Sequence, residues 1–460
     1  MIHQTETIAA IATAMNNSGI GIIRISGSDS FDIIKKIFKP AREKDMSAVS
    51  SHTVHYGNIM DGETVVDEVL VLIMKGPHTY TREDTVEIDC HGGMYILNKT
   101  LELVLKNGAR AAEPGEFTKR AFINGRIDLS QAEAVIDVIN AENDFALSSA
   151  LTQLKGSVSE KIKKERAILL EQIAYIEAAL DDPEHIEMEG YGATLLPIVQ
   201  QCESDIEELL ASANDGRIIK EGIKTVILGK PNVGKSSLLN ALLGQDRAIV
   251  TDIAGTTRDA LEESLRLNDV TLNIIDTAGI RDTEDIIEKI GVDKAKEYAQ
   301  EADLVVFVID TSRPLDDDDF EILNIIKGKK AIALFNKTDL ALGADLELIK
   351  SRLNSVPVIE TSITENVGLD LFAKTVREMF YNKEINFNDQ IYITNARQKS
   401  ALLSAKEALN KAIESIEMDM PEDFYTIDLM DAYTYLGSVI GEAIEDDLAD
   451  EIFAKFCMGK

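Results

Sequence analysis

Basic residues are scarce in this 460-residue chain: 47 lysines and arginines stand against 80 aspartates and glutamates, a formal net charge of −33 at pH 7. So acidic a body repels polyphosphates, which argues against a stand-alone nucleic-acid binder. The acidity serves solubility, or it presents a surface to a basic partner. Cysteine is scarce as well. Cys90, Cys202 and Cys457 are far apart and odd in number, which argues against a disulfide framework and for a reducing compartment. Long apolar runs are missing: a stretch such as 304–309 falls far short of the roughly 20 residues that cross a bilayer. The opening Met1-Ile2-His3-Gln4-Thr5-Glu6 has no basic stretch before an apolar one, so no signal peptide is expected. These absences together predict a soluble cytoplasmic protein.

What is present is enough to fold. With 45% hydrophobic and 28% charged residues, sizeable cores are available, and the length implies two or three domains. Residues 1–118 mix short β-branched runs, such as Ile20-Gly21-Ile22-Ile23-Arg24-Ile25 and Thr85-Val86-Glu87-Ile88, with turn residues, the texture of a small α+β domain. Residues 119–217 read as helical. Asp128 or Ser130 caps the first stretch, 157–180 forms a second, and 194–213 a third that stops at Asn214-Asp215-Gly216. From 218 to 382, apolar runs at 224–228, 272–275, 304–309, 331–335 and 356–359 alternate with polar-faced helical segments. That is the pattern of a doubly wound parallel sheet. Residues 383–460 return to helix, at 396–416 and 430–456. The simplest architecture is a multidomain α/β protein whose sheet domain is inserted between two halves of one helical domain. The acidic run Asp316 to Asp319 reads as a solvated loop, and the Asp181, Asp182, Glu184 and His185 cluster as a solvated helix end.

The chemistry sits in the inserted domain. Gly229-Lys230-Pro231-Asn232-Val233-Gly234-Lys235-Ser236 follows an apolar strand and opens a helix that begins with Ser237. In a P-loop of this form backbone N–H groups wrap phosphates, the lysine reaches the β- and γ-phosphates, and the Ser236 hydroxyl ligates Mg²⁺. Asp276-Thr277-Ala278-Gly279 closes the next strand and would place a carboxylate near Mg²⁺ and a glycine N–H near the γ-phosphate. Asn336-Lys337-Thr338-Asp339 ends a later one. The Asp339 carboxylate can accept from guanine N1–H and the 2-amino group; adenine lacks both donors, so the base is guanine. Ser362-Ile363-Thr364 follows the last strand, where a backbone N–H could reach guanine O6.

One expected group is missing. Ras-like GTPases carry a water-orienting Gln after Asp-x-x-Gly, but here that place holds Ile280. Neither Arg258 nor Arg281 identifies itself as an arginine finger. Such a site is slow, or it takes its missing charge from elsewhere. Asn232 and the loop Thr251-Asp252-Ile253-Ala254-Gly255-Thr256-Thr257 either coordinate a monovalent cation there or form an ordinary switch loop.

These motifs, with both ends of the chain, resemble the MnmE (TrmE) family of tRNA modification GTPases. The likeness continues through Gly19-Ile20-Gly21-Ile22-Ile23-Arg24-Ile25-Ser26-Gly27, Cys90-His91-Gly92-Gly93, Pro114-Gly115-Glu116-Phe117-Thr118 and the terminal Phe456-Cys457-Met458-Gly459-Lys460. The resemblance implies an N-terminal domain that dimerises and binds 5-formyl- or 5,10-methylene-tetrahydrofolate, with Arg24, Glu87, Arg126 and Lys460 at the matching positions. It implies K⁺ held by Asn232 and the carbonyls of Thr251, Ile253 and Thr256, Mg²⁺ held by Ser236 and Thr257, and Glu288 as the catalytic residue that orients water indirectly. It also implies a partner, MnmG, which uses FAD and NADH, and tRNA bound through the complex. The product would be an aminomethyl or carboxymethylaminomethyl group at C5 of the wobble uridine. Two positions depart from the family pattern: Ala14-Met15-Asn16-Asn17-Ser18 replaces a Pro-Pro-Gly-Arg-Gly-type turn, and Arg126 stands where Lys is common. The rival class is a regulatory or ribosome-assembly GTPase that modifies nothing; no basic RNA-binding module flanks the G domain to support it.

Overall fold

The computed structural model describes residues 6–42, 44–46, 48–186, 188–243, 263–267, 270–275, 292–353, 355–380, 391–442, 452–454, 456 and 459. The chain divides into two compact units, one from residues 1–136, 153–203 and 400–460, the other from 137–152 and 204–399.

The first unit opens with a seven-stranded sheet. Its strands are β1 (Ile8–Ile11), β2 (Ile20–Ser26), β3 (Phe38–Pro40), β4 (Thr53–Asp61), β5 (Thr64–Met74), β6 (Thr85–His91) and β7 (Arg110–Ala111), in the order β3-β4-β5-β6-β2-β1-β7. All pairs are antiparallel except β1 with β7. Side chains alternate across a strand, so Ile23 and Ile25 of β2 and Val86 and Ile88 of β6 share a buried face. Against it lie Ile33, Ile34 and Ile37 of α1 (Ser30–Ile37) and Leu97 and Val104 of α2 (Met94–Lys106). Arg24 and Glu87 fall between those residues, on the opposite face, and stand directly across from one another in the register.

Helices complete this unit. They include α3 (Glu116–Ile123), most of α4 (Leu129–Ile139) and α6 (Ser157–Asp181); α5 (Asp144–Leu154), between the last two in sequence, lies mostly in the second unit. On α6 the buried positions Val158, Ile162, Glu165, Leu169, Ile173 and Ile176 step by three and four residues. On α14 (Glu422–Ile440), Tyr425, Leu429, Ala432, Leu436 and Val439 do the same. Seams of this spacing pack against each other. Arg166 of α6 donates to the Tyr433 carbonyl at 3.2 Å, pairs with Glu442, and lies 4.1 Å from the centre of the Tyr433 ring. Helices from the two ends of the chain thus share one core, and the intervening α/β unit is an insertion.

The second unit holds β8 (Ile223–Leu228), β9 (Glu263–Leu267), β10 (Val270–Ile274), β11 (Leu304–Asp310), β12 (Ala331–Asn336) and β13 (Val358–Glu360). Their order is β13-β12-β11-β8-β10-β9, parallel except for β9 on β10. Both faces are covered. Leu304, Val306 and Val308 of β11 enter one core, while Val305, Phe307 and Ile309 enter the other. Among the helices are α8 (Lys235–Leu243), α9 (Val292–Glu301), α10 (Asp317–Ile325), α11 (Leu346–Leu353) and α12 (Leu369–Phe380). No helix among the described residues is long and apolar enough to cross a membrane.

Three readings of the sequence need correction. The third helix does not stop at Asn214-Asp215-Gly216: α7 runs from Tyr191 to Glu221 straight through them. Gly216 costs the helix about 1 kcal/mol relative to Ala, but a Cβ there would lie 2.3 Å from the Ile393 carbonyl. It marks a close backbone approach and not a C-cap. The last long helix begins at Glu422, eight residues before 430, and ends at Ile440, where Gly441 takes a left-handed φ of 88°. Between α7 and it, α13 spans Ala396–Glu417, as expected. Finally, the acidic run at 316–319 is no solvated loop. Asp316 and Asp319 form a capping box on α10, worth about 1 kcal/mol, and Asp319 is buried.

Candidate functional site

The P-loop leaves β8 at the edge where the strands of the second unit end. Asn232 holds a left-handed φ of 61°, which asparagine tolerates better than most residues. Lys235 and Ser236 open α8, whose first turn is closed by Leu238 N–H donating to the Gly234 carbonyl at 2.8 Å. The Lys235 ammonium is folded against the loop itself, donating to the carbonyls of Gly229 and Lys230 at 2.7 Å each. Burial pushes it down to about 8. A cation held by neutral carbonyls gains strongly from an incoming phosphate.

The base-reading loop is tied to the P-loop through Asn336. Its Nδ2 donates to the Val233 carbonyl at 2.7 Å, while its Oδ1 accepts from Ile363 N–H at 3.3 Å and Thr361 Oγ1 at 3.4 Å. Lys337 takes a left-handed φ of 66° and reaches Asp310 at 2.7 Å. Burial alone would raise the Asp310 carboxyl, but Lys337 and Ser312 outweigh it and hold it below the ordinary range. Thr338 closes the loop, donating from both N–H and hydroxyl to the Thr361 carbonyl. Asp339 is exposed, and its Oδ1 accepts from Ser362 Oγ at 2.7 Å. One carboxylate oxygen is thereby fixed and the group is aimed. Ile363 begins a short 3-10 turn; it is buried, and its N–H goes to Asn336 and not outward.

The structure therefore gathers Asn232, Val233, Gly234, Lys235, Ser236, Asn336, Lys337, Thr338, Asp339 and Ser362 at one end of the second unit's sheet. Thr251, Asp252, Ile253, Ala254, Gly255, Thr256, Thr257, Asp276, Thr277, Ala278, Gly279, Ile280 and Glu288 lie outside the described residues. So do Arg258, Arg281, Cys457 and Lys460.

In the first unit, Arg24 Nε donates to Glu87 Oε1 at 2.7 Å across β2 and β6. Arg24 Nη1 also donates to the Gly459 carbonyl at 3.3 Å, which brings the C-terminal motif to the cluster. Sequence reasoning missed Tyr80. The Arg126 guanidinium lies 4.7 Å from its ring centre and that of Arg24 5.8 Å; Arg24 is also 5.6 Å from the Phe117 ring. Tyr80 hydrogen-bonds Thr118 at 2.9 Å. No motif marks Tyr80 in the sequence; the fold alone places it between two cations. The departing turn packs elsewhere, with Ser18 N–H donating to the Gly92 carbonyl at 3.0 Å and Asn17 Oδ1 accepting from Met94 N–H at 3.3 Å.

The remaining candidates behave as structural groups. Cys90 and Cys202 are buried thiols, and burial pushes Cys90 up to about 12. His91 pairs with the buried Asp67 at 2.6 Å. His185 bonds Asp182 at an exposed helix end. No group of three or more His, Cys, Asp or Glu gathers as a metal site among the described residues.

Comparison with known proteins covers the whole chain. The family described as GTP-binding protein TrmE N-terminus matches residues 7–126, and the family described as MnmE helical domain matches residues 129–457. A protein of Lachnoclostridium phytofermentans named tRNA modification GTPase MnmE is 55% identical over 99% of this chain and 100% of its own. Proteins of that name from Thermoanaerobacter pseudethanolicus (50% identical, 99% of each chain) and Bacillus licheniformis (46%, 99% of this chain and 100% of the relative) match equally completely. Among solved structures, the G domain of the T. maritima FeoB iron transporter aligns with 34% of this chain and 97% of its own at 28% identity, with a TM-score of 0.25, a value at which the likeness decides nothing. The end-to-end matches decide it: the chain belongs to the MnmE (TrmE) family of tRNA modification GTPases.

Proposed function

We propose that this protein hydrolyses GTP in a K⁺-activated, dimerisation-dependent cycle, and that with MnmG it adds aminomethyl or carboxymethylaminomethyl groups at C5 of the wobble uridine of certain tRNAs. The observation that carries the reading is the joint presence of two sites in one chain matched end to end by its relatives. One is a phosphate loop bonded to a guanine-reading loop; the other is the Arg24, Glu87, Arg126 and Tyr80 cluster. The proposed division of labour assigns 1–118 to folate and dimerisation, 119–217 with 383–460 to the helical frame, and 218–382 to the nucleotide.

In the nucleotide site, Lys235, held by the carbonyls of Gly229 and Lys230, turns its remaining N–H to the phosphate oxygens, and Asp339, aimed by Ser362, accepts from the guanine edge. Ser236 and Thr257 would hold Mg²⁺. Asn232 with the carbonyls of Thr251, Ile253 and Thr256 would hold K⁺, which supplies positive charge to the phosphates in place of an arginine finger. Glu288 would orient the attacking water indirectly. The donor set of the first unit fits a folate: Glu87 accepts from the pterin's N–H donors, aromatic faces flank the arginines, and Arg24, Arg126 and Lys460 suit the glutamate tail. The folate, 5-formyl- or 5,10-methylene-tetrahydrofolate, supplies the one-carbon unit, and MnmG brings FAD and NADH. With a net charge of −33, this chain is suited to leave most tRNA contacts to a more basic partner. The proposed setting is the cytoplasm.

The deciding experiment is nucleoside analysis of tRNA from cells lacking the protein. Loss of the wobble-uridine modification is expected, and an unchanged modification profile rejects the reading in favour of a switch GTPase. GTP turnover should be much faster in KCl than in equimolar NaCl; equal rates remove the cation. Removal of Lys460 should weaken folate binding, and undiminished binding would move the folate site elsewhere.

A further inference from the structure

Lys230 is the second residue of the P-loop, a position whose side chain the phosphate-binding pattern leaves unspecified. It is nevertheless 9% exposed. Its ammonium pairs with Asp316 and lies 3.5 Å from Asp319 Oδ2, and these are the two carboxylates of the capping box that starts α10. Asp319 also accepts from Asp316 N–H at 3.2 Å, so the three groups form one closed unit. A buried lysine costs desolvation energy unless it is paired, and removing one side of such a pair is strongly destabilising. Here burial works against the Lys230 charge, yet Asp316 and Asp319 hold its pKa above the ordinary lysine value.

The other end of the same residue faces the phosphate site. The Lys230 carbonyl accepts from the Lys235 ammonium at 2.7 Å. Lys230 is thus anchored through its side chain to the N-cap of a helix, 86 residues later, and through its main chain it holds the lysine that meets the nucleotide. We propose that Lys230 is a positioning residue for nucleotide binding: its ion pairs with Asp316 and Asp319 fix the first turn of the P-loop, and the carbonyl so fixed places the Lys235 ammonium for the phosphates. This rests on the guanine-nucleotide reading of the P-loop. Lys230 acts through Lys235; its own ammonium is committed to carboxylates. Because GDP and GTP both meet Lys235, the clamp contributes uniform binding, which appears in affinity and KM and not in turnover at saturation.

The test uses the full chain and two measurements: the dissociation constant of a fluorescent GDP analogue, and steady-state GTP hydrolysis. Lys230→Met and the double variant Asp316→Asn, Asp319→Asn should each weaken GDP binding at least about tenfold, about 1.4 kcal/mol. Their kcat should stay within about twofold of wild type. Lys230→Arg, which keeps the charge and reaches carboxylates, should restore most of the affinity. If either weakened clamp lowers thermal stability but leaves the affinity of the folded protein unchanged, the residue is merely structural and the proposal is overturned. If the double variant binds GDP more tightly while Lys230→Met binds it less tightly, Lys230 is itself a phosphate ligand and the proposal is again overturned. Should Lys230→Met fail to fold, the double variant carries the decision alone. Failure of the wild-type chain to bind GDP would instead reject the nucleotide reading beneath.

Discussion

Asn336 donates from Nδ2 to the carbonyl of Val233 at 2.7 Å, joining the loop that reads the base to the loop that wraps the phosphates. The bond leaves no room beside it. A Cβ on Gly234 would lie 2.3 Å from that same nitrogen, and Gly234 sits at a φ of +110° that L side chains rarely adopt. Gly234→Ala should therefore break the link between the two loops as well as strain the P-loop. Affinity for GDP is expected to fall by about 100-fold, roughly 2.7 kcal/mol, with the circular dichroism spectrum retained. Calorimetric titration of the folded variant checks this; wild-type affinity would show that the contact is dispensable.

Base identity hangs on Asp339, whose Oδ1 is fixed by Ser362 Oγ at 2.7 Å. Asp339→Asn replaces one acceptor oxygen with an amide donor. That donor opposes the guanine 2-amino group and matches the C2 carbonyl of xanthine. The variant should bind xanthosine diphosphate better than GDP, with GDP weakened by about 100-fold or more, since buried donors left unpaired are costly. Ser362→Ala, which frees the carboxylate without changing its chemistry, should cost only about fivefold, because water can replace the serine hydroxyl on this exposed group. A competition assay with the two diphosphates decides, and retained preference for GDP would detach Asp339 from recognition.

Much of this was legible in the residues themselves, for reasons that are local. The runs at 304–309 and 331–335 have no polar face, and β11 and β12 are buried on both sides. The P-loop and Asn336 to Asp339 are contiguous strings that end strands. The illegible parts depend on partners far away in sequence. Gly216 read as a helix stop until the Ile393 carbonyl appeared against it. The aspartates at 316 and 319 read as solvated until Lys230, 86 and 89 residues earlier, came into contact. Tyr80 belongs to no motif, and it joins Arg24 and Arg126 only because β2, the segment after α3 and the segment before β6 converge.

The first unit should owe measurable stability to Glu116. This buried carboxylate pairs with Arg110 at 2.5 Å and Arg120 at 3.0 Å, and accepts from Glu113 N–H at 2.8 Å. Burial pushes its carboxyl up, but Arg110, the Glu113 amide and Arg120 together hold it below its ordinary value. A depressed folded pKa means that the stabilisation is present above the unfolded value near 4.5 and is lost as pH falls through the folded value. Among the described residues, Glu116→Ala leaves the buried Arg120 with Glu83 as its carboxylate partner and should cost about 3 kcal/mol at neutral pH. Urea unfolding followed at neutral and acid pH checks both points. A loss that persists undiminished in acid would assign the effect to packing instead of charge.

The His91 and Asp67 pair makes the opposite case. Asp67 is buried, while the His91 ring projects into solvent at the end of β6 and bonds Asp67 Oδ1 at 2.6 Å. The hydrogen bond and charge of Asp67 raise the imidazole above its ordinary 6.5. A raised folded pKa contributes stability that is full below 6.5 and disappears as pH rises through the folded value. His91 should thus hold its proton to higher pH than a free histidine, and the first unit should lose a little stability as pH rises from 6.5 through the folded value. Asp67→Asn removes the charge and keeps an oxygen for the His91 N–H, which Asp67 Oδ2 accepts at 2.8 Å. In that variant the imidazole should titrate near its ordinary value, read from its ring-proton chemical shifts. Titration at the same raised pH in both proteins would mean that the neighbouring Glu68, and not Asp67, sets the charge of His91.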